Sequence, residues 1–195
     1  MIDFLFSKKK PQLSLSDIQE RLQQQLAEDH RDQLAHRVCE LALSARQSGN
    51  YGVGALICRD HEILFEASNA VFEPTRNSAA HAEMLLLDLW EQAVAKGEYP
   101  PEATAQLTLV CSLEPCPMCL SRLLMSGIRR ICYLVEDKPG GMVSRARDLP
   151  PAFRNLMQTC DCTVLRANPE YRNLAQQLAN HGLGELRQRL IDPAL

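Results

Sequence analysis

Leu107-Thr108-Leu109-Val110-Cys111 followed by Ser112-Leu113-Glu114-Pro115-Cys116-Pro117-Met118-Cys119 is an apolar run that stops at a proline-flanked pair of cysteines. The first five residues read as a buried strand. Pro117 suits the first position of a helix, where its missing N–H costs nothing. The stretch from Pro117 to Ser126 is helical in pattern until Gly127 ends it. Ile131–Val135 is then a second apolar run of strand length. This strand–helix–strand order points to an α/β protein.

The flanks repeat the alternation. Val53–Cys58 and Ile63–Ala67, separated by Arg59-Asp60-His61-Glu62, read as an antiparallel hairpin. Asn69–Ser78 has loop composition, and a strong helix follows from about Ala80 to Lys96, closed by Gly97. Upstream, Ser14 or Ser16 can cap a helix with Asp17 and Glu20 in its first turn. Apolar residues recur from Leu22 to Ala42 at helical spacing, with Glu28–Gln33 dividing them into two helices and Gly49-Asn50 ending them. Downstream, Lys138-Pro139-Gly140-Gly141 opens a long loop. Pro151–Gln158 reads as a helix, Thr163–Leu165 as a strand, and Tyr171–Asn180 as a last helix ended by Gly182. The expected architecture is a three-layer α/β/α sandwich around a mixed central sheet of about five strands. The expected organisation is an N-terminal extension over 1–30, mobile then helical, one domain over 31–182, and a C-terminal tail over 183–195.

Composition narrows the function. The chain has 195 residues, 46% apolar and 23% charged, with a net charge of −3. That balance excludes a strongly basic nucleic-acid binder. Eight cysteines are too dilute for a small secreted disulfide scaffold and read as buried thiols or metal ligands. No run approaches the roughly 18 apolar residues of a membrane span. The apolar start precedes Lys8-Lys9-Lys10, the reverse of a secretory leader. A cytoplasmic location is expected, with no membrane partner.

The chemistry sits in two short motifs, His81-Ala82-Glu83 and Pro115-Cys116-Pro117-Met118-Cys119. Cys116 and Cys119 are three apart, which places both on one face of a helical turn. Imidazole and thiolate ligands suit Zn²⁺, and His81, Cys116 and Cys119 leave a fourth position open, the count of a catalytic site. In a regular helix, positions two apart point about 200° away from each other. His81 and Glu83 therefore share a site only where a helix begins. A metalloprotease is excluded, because position 85, where a second histidine would stand, is Leu85.

These residues resemble the cytidine/deoxycytidylate deaminase-like superfamily, whose signature pairs His-x-Glu with Pro-Cys-x-x-Cys. Ser112–Cys119 looks like the branch holding tRNA adenosine deaminases, bacterial guanine deaminases and yeast-type cytosine deaminases. The resemblance spans about residues 35–180. It implies zinc on His81, Cys116 and Cys119, and Glu83 as the catalytic proton shuttle in hydrolytic deamination of a base. It also implies substrate binding by Asn69, by the small-residue strand containing Gly54 and Ala55, and by backbone groups near Ala82, Pro115 and Cys116. A homodimer is implied by the family alone. Where the family often has Gly-Ala beyond the second cysteine, this chain has Ser121-Arg122, with Arg122 reaching either a subunit surface or the pocket.

The main expectation is a deaminase of a small nucleobase or nucleoside, guanine first. The mild acidity and the short Leu183–Leu195 segment count against the alternative, a tRNA adenosine deaminase, although Arg129, Arg130, Arg145 and Arg147 offer a basic patch. Intact Glu83 counts against an inactive zinc scaffold. Arg76, Asn77, Met142, Arg145 and Arg147 are loop residues that could select a substrate. Trp90 reads as core; Cys39, Cys58, Cys111 and Cys132 read as buried thiols. Cys160 and Cys162, with one residue between them and no histidine near, are not read as a second metal site.

Overall fold

The computed structural model describes residues 12–192, so most of the stretch expected to be mobile, 1–13, lies outside the described residues. Helix α1 (Leu15–Gln24) starts at Ser14, whose hydroxyl accepts from the Asp17 N–H while the Asp17 carboxylate accepts from the Ser14 N–H. This reciprocal cap satisfies donors that a helix start leaves unpaired. Ile18 and Leu22 of α1 are buried with residues of α2 (His30–Gln47). The N-terminal extension is thus part of the core from α1 onward.

Strands β1 (Gly54–Arg59) and β2 (Glu62–Ser68) form the hairpin, turning at Asp60-His61 with Asp60 in the left-handed region at φ 54°. Helix α3 (Ala82–Ala95), β3 (Thr108–Leu113), α4 (Pro117–Ser126) and β4 (Arg130–Val135) follow. Then come α5 (Pro151–Met157), β5 (Asp161–Val164), α6 (Pro169–Asn180) and α7 (Leu183–Ile191). The sheet order is β2-β1-β3-β4-β5. β1 is antiparallel to both neighbours, whereas β3, β4 and β5 run parallel. This is the mixed five-stranded sheet expected.

Strand alternation sorts the core into two layers. Leu56, Cys58, Val110 and Leu134 face α1, α2 and α6. Ala55, Ile57, Leu109, Cys111, Ile131 and Tyr133 face α3 and α4. Trp90 is core, its indole N–H donating to Thr104 Oγ1 at 3.0 Å. Cys39, Cys58 and Cys111 are buried and Cys132 half-buried. Burial pushes the Cys58 thiol up to about 11, so it carries no charge at neutral pH.

Two differences from expectation matter for the site. The segment expected as a tail contains α7, whose Leu186 is buried against Val71 and Phe72. Nine residues with three charges among them look like a solvated tail until a surface is there to receive their apolar side. Gly54 faces α2: a Cβ there would sit 2.5 Å from Leu41 Cβ and 2.6 Å from Ala42 N and Val38 O. Its smallness serves helix–sheet contact. Among the described residues no helix is long and apolar enough to cross a membrane.

Gly54→Ala must push α2 off the sheet and is expected to cost about 1–3 kcal/mol. Gly184→Ala on α7, where an added Cβ meets nothing within 4 Å, should be neutral or slightly stabilising. Urea denaturation of the two variants checks the difference.

Candidate active site

The site forms at the carboxyl ends of the adjacent parallel strands β3 and β4. β3 ends at Leu113, and Cys116 is the N-cap of α4 with extended backbone (φ −70°, ψ 170°). Pro117 holds the first helical position. His81 is likewise the N-cap of α3 (φ −70°, ψ 148°), and its side chain makes no capping bond. Glu83 follows inside the first turn. The change from extended to helical backbone at His81 lets two residues that would diverge in a regular helix share one cavity.

His81 Nδ1 lies 3.7 Å from Cys116 Sγ and 3.5 Å from Cys119 Sγ. The three donor atoms lie within 4.8 Å of one another, and among the described residues no other such group of three is present. A tetrahedral ion with Zn–S near 2.3 Å and Zn–N near 2.0 Å spaces nitrogen and sulfur ligands about 3.5 Å apart. The donor set and its spacing therefore fit Zn²⁺.

The charges are strongly coupled. A hydrogen bond from Cys119, with help from His81, pulls the Cys116 thiol down to about 4. The same contact and burial push Cys119 up. His81 is raised by its bond to Cys116. The cluster thus favours negative charge on Cys116, helped by two helix N-termini whose dipoles act in the same direction. Glu83 is 4% exposed, and burial raises its carboxyl above the usual carboxylate range.

A cavity of about 490 Å³ opens over these groups, lined by Asn69, His81, Glu83 and Cys116. Asn69 Oδ1 accepts the Val71 N–H at 3.2 Å, which leaves its amide NH₂ as the group to face a ligand. Gly54, Ala55, Ala82 and Pro115 are not among the lining residues; Val53 is. Gly54 faces α2, Ala55 and Ala82 are fully buried against α3 and α4, and the Pro115 carbonyl accepts the Met142 N–H at 2.9 Å. With its side chain buried, Ala82 can offer a ligand only its backbone.

Other walls were not foreseen. Glu114, 3% exposed, accepts the Asp137 N–H at 2.8 Å and the Ser144 N–H at 2.6 Å. It pins the loop after β4 against the cavity. Its signal was a lone carboxylate between a buried strand and a proline, inside the octapeptide that carries the cysteines. Leu183, Arg187 and Leu190 of α7 also line the cavity. Arg189 anchors that helix, its guanidinium lying 4.5 Å from the Phe72 ring centroid and 3.1 Å from Glu73 Oε1.

The arginines flagged in the sequence fall elsewhere. Arg122 joins α4 to α3 through the Met84 carbonyl at 3.1 Å, Asp88 at 2.6 Å and Glu91 at 2.8 Å, and does not line the cavity. Arg130 opens β4 and bonds Thr108 at the start of β3. That is the sheet edge opposite the site, so Arg129 and Arg130 form no patch beside it. Arg145 bonds the Gly141 carbonyl, and Arg147 is 90% exposed beside Asp148. Arg76, Asn77 and Met142 are likewise absent from the cavity lining.

Residues 28–135, more than half of the chain, match the family described as the cytidine and deoxycytidylate deaminase zinc-binding region. The chain belongs to that family. It is 35% identical over 100 residues to the tRNA-specific adenosine deaminase of Bacillus subtilis, covering 51% of this chain and 58% of that one. To the tRNA-specific adenosine deaminase of Aquifex aeolicus it is 35% identical over 104 residues, 53% of this chain and 65% of the relative. The chain thus spans less than two thirds of the length of these relatives. A solved transfer-RNA deaminase that edits A to I at the wobble position aligns with TM-score 0.60 at 21% identity, over 75% of this chain and 98% of that one. Guanine deaminase from Nitrosomonas europaea aligns with TM-score 0.56 at 23% identity, over 79% and 86%. At those identities the likeness is one of fold.

Cys116→Ser and Cys119→Ser are each expected to lose zinc on dialysis against a chelator that leaves the wild type loaded, as read by elemental analysis. Glu114→Gln removes the negative charge and turns one of the two accepting oxygens into a donor, a loss of about 1.5–3 kcal/mol. Amide exchange at Asp137 and Ser144 should accelerate about ten- to a hundredfold.

Proposed function

We propose that this protein is a zinc-dependent hydrolytic deaminase of a nucleobase amino group, with an adenosine of tRNA as the favoured substrate. The observation that carries the reaction is the placement of Glu83 in the same cavity as the His81, Cys116 and Cys119 group. The tRNA-specific relatives support the substrate.

His81, Cys116 and Cys119 would hold the ion. Zn²⁺ supplies a Lewis acid and lowers the pKa of water it holds toward about 7. Hydrolysis joins a water oxygen to the ring carbon that bears the amino group and breaks the carbon–nitrogen bond, releasing ammonia. The protons must travel from water to the ring nitrogen and then to the leaving amine. Glu83 is the carboxyl placed to carry them, and its raised pKa suits a group that both accepts and donates. The Asn69 amide would orient the base.

A second reading, a free base or nucleoside such as guanine, is favoured by α7. Leu183, Arg187 and Leu190 wall off part of the cavity, and a partly walled site of this size suits a small ligand. The net charge that argued against tRNA is a weaker guide than the relatives, because a sum does not locate cations. Cytoplasmic location and a homodimer both belong to this proposal.

The test is product formation by zinc-loaded protein from tRNA, an anticodon stem-loop, and a panel of guanine, adenine, cytosine and their nucleosides. Ammonia and the converted base are both measured. Inosine in tRNA is expected. Turnover of free bases alone selects the second reading, and no product anywhere overturns both. Glu83→Gln should retain zinc and lose about 10²- to 10⁴-fold in kcat.

A further inference from the structure

The thiols left unassigned include a pair at the far edge of the sheet. Cys160 and Cys162 flank Asp161 where α5 gives way to β5, the outermost strand. Cys160 sits in a bend just before β5 and Cys162 lies within the strand, and their sulfurs lie 3.6 Å from each other. Cys162 Sγ also lies 3.9 Å from Met157 Sδ, and Cys160 Sγ lies 3.7 Å from the Ile128 carbonyl oxygen, a contact its thiol gives up on ionising. Both are half-buried, unlike the enclosed Cys39 and Cys111. No histidine or carboxylate joins them in a group of three metal donors among the described residues. Two adjacent, accessible thiols without a third donor are suited to redox chemistry.

We propose that Cys160 and Cys162 form a reversible dithiol–disulfide pair that reacts with low-molecular-weight disulfides. The inference is independent of the deaminase reading. Cys160 attacks one sulfur of the small disulfide, breaking its S–S bond and releasing one thiolate, which takes up a proton. Cys162 then loses its proton to solvent and attacks the Cys160 sulfur, expelling the second small thiol. Two protein thiols have given up two electrons and the small disulfide has become two thiols. Cys160 is the attacking group because it receives the Cys162 hydrogen bond, which, with nearby Arg129, favours its thiolate. The partner is held as a thiol by the same contact.

The two sulfurs have only to close from 3.6 Å to the roughly 2.05 Å of a disulfide. A bond formed at this half-buried position stays open to attack by the same small thiols that its formation releases. Its place opposite the zinc-site edge lets it form without consuming Cys116 or Cys119.

Zinc-loaded, folded protein is exposed to graded mixtures of oxidised and reduced glutathione, quenched with acid, alkylated and digested with trypsin. Both cysteines fall in one peptide, Asn155–Arg166, so the internal bond appears as that peptide lighter by two hydrogen atoms and unalkylated. The expected result is this species as the main oxidised form, returned by dithiothreitol to the dialkylated peptide. Cys132, also half-buried but bonded to Thr163 Oγ1, should react at least tenfold more slowly. In Cys162→Ser, Cys160 should accumulate the glutathione adduct that the wild type resolves. A wild type that carries glutathione adducts without the internal bond, or whose pair reacts no faster than Cys132, overturns the proposal. Zinc content measured in parallel should stay unchanged, and its loss with oxidation would overturn the claim that the pair acts apart from the metal group.

Discussion

Two helix N-termini meet at one edge of the sheet, and the working end of this protein depends on that meeting. A helix start presents unpaired N–H groups and a partial positive charge, and here both starts carry metal-binding side chains. His81 caps α3 and Cys116 caps α4. Both helices lie on the same side of the sheet, held by Leu86, Leu87, Leu120 and Leu123 in a shared apolar layer. That layer sets the separation of the helices, and with it the 3.5 and 3.7 Å spacing between imidazole and thiols. The field of the helix ends favours a thiolate, and burial of Glu83 favours a proton on its carboxyl. One arrangement of backbone thus brings the three candidate metal donors and the buried carboxyl of Glu83 together.

The remaining walls come from segments that are distant in sequence. Glu114 reaches from the end of β3 to the amides of Asp137 and Ser144, so the strand that delivers the cysteines also shapes the loop beside them. Gly141 passes so close to the Glu114 carboxyl that a Cβ there would overlap it. On another side, α7 rests on the loop after β2 through Leu186, Phe72 and Arg189. The cavity is therefore a joint product of the strand ends, the loop after β4 and the C-terminal helix.

Short-range features were legible. Proline after Cys116, glycine after Ser126 and the alternation of apolar runs act through the backbone within a few residues, and the elements formed where those features placed them. The metal-binding triad was legible because cap positions impose their own spacing. Gly54 misled, because a small residue on a strand reads the same whether a base or a helix comes close to it. The guanidinium of Arg122 met Asp88 and Glu91 across two helices, a pairing no local pattern announces. The Cys160–Cys162 contact forms across the bend that precedes β5, a local shape that residue spacing alone does not announce.

Residue type and local spacing therefore established the α/β architecture, the three metal donors and the carboxyl beside them, since each is a matter of covalent neighbours and backbone geometry. Folding in three dimensions decided which groups enclose the cavity and which arginines stay away from it. Those outcomes depend on contacts between segments tens of residues apart, such as Glu114 with Ser144 or Phe72 with Arg189. They are set by how the layers pack, and packing is a property of the assembled chain.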